Sequence, residues 1–186
     1  PTSTASGTNR GLGPDGRRLL GLVRRVLLEG DERRLLTTAL DEAVELTRAE
    51  RAFLLLRKAG RSKGSGDVVV ARNLDGESIR RKKSGYSRSV AESVISSGEP
   101  MLTAMATEDP KLRGARSILD LGLRSILCVP VRGPETVVGA LYLDHRFREG
   151  RFGDVELELV RAVADVIGLA LENARLHREA HERESQ

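Results

Sequence analysis

The sequence of 186 residues is poor in cysteine and in aromatic residues, and each shortage excludes a class of protein. Its one cysteine, Cys128, rules out a disulfide within the chain and any site built from several thiolates, and it indicates a reducing, cytoplasmic compartment. Three Phe, two Tyr and no Trp offer few rings on which single-stranded bases stack. No apolar run approaches the roughly 20 residues that cross a bilayer, so we expect no membrane association.

The chain begins with Pro1 rather than Met and shows no signal-peptide pattern, so we expect it to be a fragment of a longer protein. Residues 1–14 are rich in Gly and small polar residues, a composition typical of a linker. Apolar residues recur at helical spacing over 15–30, which predicts an N-terminal helix available for dimerisation. The main domain is expected over 31–182, and 183–186 is a tail toward a missing output domain.

Hydrophobic periodicity predicts an α+β fold in which helices pack on an antiparallel sheet. The apolar runs 52–57 and 67–72 predict a hairpin, because a stretch rich in Gly, Ser and Lys separates them. Segments 125–131 and 136–143 are the clearest strands. The remaining predicted elements are an extended segment at 100–105 and helices at 17–29, 32–48, 86–98, 114–121 and 154–182.

The formal net charge of +4 originates in one segment of the chain. Residues 57–88 contain ten Lys and Arg against three acidic residues. A basic excess suggests nucleic acid, but this segment is a turn-rich connection, where solvated charges are usual. We therefore expect no direct contact between this chain and nucleic acid.

Five segments resemble a bacterial GAF domain and occur in the order of that family: TRAERAFLLL, SRSVAESVISSGEPMLT, LGLRSILCVPV, GALYLDHR and ALENARL. The resemblance covers residues 31–178. It implies a PAS-related fold, with a central antiparallel sheet, the N- and C-terminal helices on one face and a small-molecule pocket on the other. The subtype is similar to GAF domains of sigma-54-dependent transcription activators, often placed after a forkhead-associated domain. The sensor module of an adenylate cyclase or a histidine kinase is the alternative.

The resemblance places the pocket against helix 86–98, segment 101–118 and the inner faces of the last two strands. It implies ligand contacts from Tyr86, Arg88, Thr103, Met105, Asp109, Arg116 and Ser125. Arg116 or Arg124 would pair with an anionic ligand, because a guanidinium suits carboxylate and phosphate groups. The alternative is that either arginine extends into solvent.

The sequence leaves the ligand of such a pocket unidentified. A cyclic-nucleotide GAF signature requires an Asn-Lys pair, and none of Asn9, Asn73 and Asn173 precedes Lys. Related domains tether a bilin through a cysteine in a loop-and-helix region, whereas Cys128 lies in a predicted strand, so we expect no bilin. The enzyme variant of the fold, free methionine sulfoxide reductase, uses several cysteines. We therefore expect no catalytic activity.

The three histidines do not predict a metal site. His177 and His181 lie four residues apart on one helical face, a spacing that zinc sites use, but the sequence places no third ligand near them. His145 follows Asp144 at a strand end, where a solvated turn is the simplest interpretation. A haem-binding role for His145 stays open.

The C-terminal helix carries two apolar rows, more than one sheet face can cover. The first row has heptad spacing and consists of Val160, Val163, Ile167, Ala170 and Ala174. The second row consists of Leu159, Ala162, Val166, Leu169 and Leu176. We expect the first row to form a homodimer interface. The alternatives are one broad core face, and a GAF domain that dimerises without binding any ligand.

Overall fold

A computed structural model describes residues 13–57, 65–79, 85–112 and 116–184, and it places one antiparallel sheet between two layers of helices. The elements in chain order are α1 (Pro14–Leu28), α2 (Glu32–Thr47), β1 (Arg51–Leu56), β2 (Asp67–Asn73), α3 (Arg88–Ser97), β3 (Met101–Thr103), a 3-10 turn (Pro110–Leu112), α4 (Arg116–Asp120), β4 (Ser125–Arg132), β5 (Val137–His145) and α5 (Asp154–Glu184). The predicted α+β class is confirmed, and the predicted elements are present within a few residues of their expected bounds.

The five strands are arranged in the order β2-β1-β5-β4-β3, and all neighbours are antiparallel. The hairpin of β1 with β2 and the pairing of β4 with β5 both agree with the sequence-based prediction. β5 is the middle strand, and its register places Asp144 opposite Arg51 of β1. A polar pair is therefore held in the interior of the sheet.

Side chains of the central strands alternate between the two faces of the sheet. On β5, Leu141 and Leu143 pack against the layer of α1, α2 and α5. Ala140 and Tyr142 point the other way and pack in a second cluster with α3. We call this second side the α3 face. The N- and C-terminal helices thus share one face, as the prediction required.

The beginnings of α2 and α5 are fixed by side chains that bind free backbone N–H groups. Asp31 precedes α2, and its carboxylate accepts a hydrogen bond from the backbone N–H of Arg34 at 3.1 Å, as expected for an N-cap. Asp154 is the first residue of α5 rather than the residue that caps it. The Gly153 N–H instead donates to Oε2 of Glu156 at 2.9 Å.

The first apolar row of α5 is part of the protein core. Val160, Val163, Ile167 and Ala170 are all buried within one protomer, where α5 packs against α2 and β4. These four residues are therefore corrected from dimer interface to core. Ala174, the fifth residue of the row, is half-buried and lines a groove between α1 and α5.

The exposed apolar surface of α5 comes from its second apolar row. Val166 is buried, whereas Leu169 and Leu176 are 51% and 50% exposed. Leu159 and Ala162 are half-buried. A partner helix would therefore meet the second row rather than the first.

α5 is the longest helix of the described residues, with 31 residues. Charged side chains interrupt its apolar rows, and Nη1 of Arg178 binds Oε2 of Glu32 in α2 at 2.7 Å. Among the helices that the structure describes, none combines the length and apolarity that crossing a bilayer requires.

Candidate functional site

Three aromatic rings meet on the α3 face. Phe53 of β1, Tyr142 of β5 and Tyr86, which precedes α3, have ring centroids 5.5–5.8 Å apart. Phe53 and Tyr142 are fully buried and Tyr86 is half-buried. Such separations are favourable for tilted and edge-to-face ring pairs. Three of the five aromatic residues of the sequence are thus concentrated in one cluster.

A buried ion pair lies beside these rings. Nε of Arg51 donates to Oδ1 of Asp144 at 2.8 Å, and Nη2 donates to Oδ2 at 2.6 Å. The two side chains are 8% and 0% exposed, and the Arg51 guanidinium lies 5.3 Å from the centroid of Phe53. Burial raises the pKa of Asp144, an effect that the hydrogen bonds and charge of Arg51 oppose. The carboxylate therefore depends on Arg51 to remain ionised.

The hydroxyl of Tyr142 is close to both the ion pair and the N-terminus of α3. It accepts the backbone N–H of Ser87 at 3.3 Å. Burial and the charge of the nearby Asp144 raise the pKa of Tyr142, so its hydroxyl keeps its proton. Polar groups thus extend from the N-cap of α3, past Tyr142 of β5, to the ion pair of Asp144 and Arg51.

Three of the predicted ligand-contact residues lie on or beside the α3 face. Tyr86 is a member of the ring cluster, and the charge of the exposed Arg88 acts on its hydroxyl. Burial raises the pKa of Tyr86. Thr103 is buried, opposite Ile126 in the β3–β4 register. These residues place a half-buried phenol and an exposed guanidinium at the edge of the ring cluster.

Ser125 is the predicted contact residue that the structure places elsewhere. Strand alternation puts it on the same side as Leu127, which faces the terminal helices. Its hydroxyl donates to the carbonyl of Arg148 at 2.8 Å and accepts the N–H of Arg151 at 3.2 Å. The predicted ligand contact is corrected, because Ser125 instead connects β4 to the loop after β5.

The other predicted contact residues lie in the segment between β3 and β4. Met105 is exposed, and its carbonyl accepts the N–H of Asp109 at 3.1 Å in a turn. Arg124 forms a surface ion pair with Glu149. Arg116 begins α4, but its side chain lies outside the part of the chain that the structure describes.

His145 caps the turn that follows β5. Its Nδ1 accepts the backbone N–H groups of Phe147 at 3.1 Å and of Arg148 at 3.2 Å, so the proton of the neutral ring is on Nε2. Burial and the charges of Arg148 and Arg151 lower the pKa of His145. Within the described ranges, no three His, Cys, Asp or Glu side chains are grouped to hold a metal ion.

We expect the stability of the protein to fall as the pH drops below about 6.5, the usual pKa of an unfolded histidine. The folded pKa of His145 is lower, so the unfolded chain takes up the proton first and stability decreases between the two values. Urea unfolding measured at several pH values tests this.

His145→Asn keeps a hydrogen-bond acceptor but does not titrate, so it should flatten the dependence of stability on pH. His177→Asn, at an exposed position, should not. An unaltered dependence in His145→Asn would contradict the assignment.

A family model described as a GAF domain matches residues 29–172, which is more than half of the chain. The chain therefore belongs to the GAF domain family, as its sequence resemblance indicated.

Solved structures with the same fold include several kinds of protein. The phycocyanobilin-bound GAF domain of a cyanobacterial phytochrome is 14% identical, with a TM-score of 0.67, and the match covers 89% of this chain and 98% of that one. The GAF domain of an Acinetobacter phosphoenolpyruvate-protein phosphotransferase is 12% identical, with a TM-score of 0.64 and coverages of 86% and 93%. Free methionine-R-sulfoxide reductase from Neisseria meningitidis, in complex with its substrate, is 15% identical, with a TM-score of 0.63 and coverages of 86% and 89%. Identities this low establish the fold alone.

Proposed function

We propose that this chain is a regulatory, non-catalytic sensor domain of a bacterial signalling protein. It binds a small molecule on the α3 face and transmits the signal through a homodimer of its terminal helices. The observation that carries this proposal is the cluster of Phe53, Tyr86 and Tyr142, beside which the buried ion pair of Arg51 and Asp144 lies. It lies on the face opposite the terminal helices, so a ligand and a partner subunit would use different sides of one sheet.

The state of Cys128 supports a sensor that uses no covalent chemistry. The thiol is completely buried in β4, and burial raises its pKa, so the reactive thiolate is not formed. This disfavours both a bilin tethered through sulfur and a reductase mechanism. Because the Asn-Lys pair of the cyclic-nucleotide signature is also missing from the sequence, the proposed ligand is a small molecule of another class.

Dimerisation is proposed through the exposed row of α5. Val155, Leu169 and Leu176 are 69%, 51% and 50% exposed and are separated by multiples of seven residues. A heptad repeat presents one continuous apolar edge along a helix, and two copies of such an edge are self-complementary about a twofold axis. Leu20, which is also exposed, adds apolar surface from α1.

The wider protein is proposed to be a cytoplasmic transcription regulator of the sigma-54-dependent type, on the resemblance of the five sequence segments. The sensor module of an adenylate cyclase or a histidine kinase is the alternative context, because the same domain would dimerise through the same helices there. A GAF domain that dimerises without a ligand is the alternative at the level of the domain itself.

Native mass spectrometry of freshly purified protein tests the ligand and the dimer together. We expect a dimer that carries a bound small molecule.

The double variant Leu169→Glu with Leu176→Glu should give a monomer, because it places charges in the apolar edge of α5. Leu119→Glu, at an exposed position of α4, is the matched control and should remain dimeric. A monomeric wild-type chain contradicts the proposed interface. A dimer without ligand, unaffected by a panel of nucleotides and amino acids in thermal-shift assays, supports the dimerisation-only alternative.

A further inference from the structure

A cleft opens where β1 begins and β2 and β5 end, and Arg51 of the buried ion pair is part of its lining. Its volume is about 530 Å³, which is ample for a small metabolite. We call it the end cleft. The side chains that line it include Arg51, Leu74, Asp75, His145 and Phe147. The polar and apolar groups among them define the chemistry of a complementary molecule.

The unused hydrogen-bond donors of the end cleft include one on Arg51 and one on His145. Asp144 occupies Nε and Nη2 of Arg51, and Nη1 has no hydrogen-bond partner among the described residues. Arg51 is 8% exposed, so this donor belongs to a nearly buried cation. Backbone N–H groups occupy Nδ1 of His145, which leaves its Nε2–H as the second donor. A guanidinium N–H and an imidazole N–H from two side chains that line the same cleft suit a carboxylate group.

One acceptor of the end cleft is also unused. The exposed carboxylate of Asp75 has neither a hydrogen bond nor an ion pair with any residue in the described part of the chain. The other carboxylate in the lining, Glu50, is occupied by the backbone N–H and guanidinium of Arg146, at 2.9 and 2.8 Å. With the ion pairs satisfied, the cleft offers free donors and one free negative charge. A zwitterion complements both.

The remaining lining residues are apolar and exposed. Phe147 is 75% exposed and Leu74 is 51% exposed. The Arg146 guanidinium lies 5.5 Å from the centroid of the Phe147 ring, which holds the ring in position. Leu74 and Phe147 therefore give the end cleft an accessible apolar wall.

We propose that the end cleft binds a free α-amino acid with an uncharged, apolar side chain. Arg51 Nη1 and His145 Nε2 bind the carboxylate, Asp75 binds the ammonium group, and Leu74 and Phe147 pack against the side chain. The end cleft shares Arg51 with the ion pair beside the ring cluster, but this binding uses neither the three rings of the α3 face nor the dimer row of α5.

Isothermal titration calorimetry with L-leucine as the probe tests this inference. We expect saturable binding tighter than about 10 mM, and binding at least about tenfold weaker for leucinamide, which lacks the carboxylate, and for 4-methylpentanoate, which lacks the ammonium group. Asp75→Asn and Phe147→Ala change exposed side chains, and each should weaken leucine binding about tenfold. Asp120→Asn, at an exposed position of α4, is the matched control and should bind leucine as the wild type does.

The inference is wrong if leucine does not bind at about 10 mM, or if Asp75→Asn and Phe147→Ala both bind leucine as well as the wild type does. NMR shifts locate the probe independently. Changes at 74–75 and 145–147 support the end cleft, whereas changes confined to Tyr86 and Arg88 place leucine at the ring cluster. The monomeric α5 variant should still bind leucine, so failure of the proposed dimer and failure of this site are distinguishable.

Discussion

Replacement of Asp144 by Ala is expected to lower the free energy of unfolding by about 3–5 kcal/mol, because the buried Arg51 guanidinium would lose its partner. Domains of this size have a total stability of about 5–15 kcal/mol, so the loss is a large part of it. Urea unfolding followed by circular dichroism measures the change.

The control for this prediction removes both charges at once. The double variant Arg51→Met with Asp144→Leu should recover much of the lost stability, because apolar side chains of similar volume replace many buried ion pairs at little cost. Arg124→Ala breaks a surface ion pair with Glu149 and should cost less than about 1 kcal/mol. A comparably small loss in Asp144→Ala would show that the ion pair is hydrated in solution.

The prediction for α5 was incomplete because a heptad row does not indicate which neighbour covers it. The spacing of Val160, Val163, Ile167 and Ala170 fits a partner helix in another subunit equally well as one in the same chain. In the structure, α2 and β4 of the same chain pack against this row. Periodicity therefore located the apolar surfaces of α5, and only the packing of distant elements distinguished core from exterior.

The central polar pair was beyond prediction for a similar reason. Arg51 and Asp144 are 93 residues apart in sequence and meet through the register of β1 with β5. A sequence signal did exist, because each charge adjoins an apolar strand run, RAFLLL and ALYLD. The prediction placed Ser125 in the ligand pocket. The face of a strand residue follows from alternation with its buried neighbours, and Ser125 lies on the same side as Leu127, which faces the terminal helices.

Two glycines in helix interiors should respond to alanine in opposite directions. A Cβ at Gly168 of α5 would lie 2.2 Å from the carbonyl oxygen of Arg132 in β4, a backbone atom that cannot move aside cheaply. We expect Gly168→Ala to lower the free energy of unfolding by about 1–3 kcal/mol through overpacking. A Cβ at Gly21 of α1 meets nothing within 4 Å. Gly21→Ala should therefore raise stability by up to about 1 kcal/mol through helix propensity alone.

Gly168→Ala should also loosen α3, although α3 lies on the other side of the sheet. Arg132, whose carbonyl contacts α5, donates from Nη2 to the carbonyl of Gly98 at the C-terminus of α3, at 2.6 Å. Displacing α5 shifts Arg132 and weakens this bond, so amide hydrogen exchange at the end of α3 should become faster in Gly168→Ala. Gly21→Ala should leave that exchange unchanged. If exchange in α3 were the same in both variants, Arg132 would not couple the two layers, and a signal from the α3 face would have to reach α5 by another route.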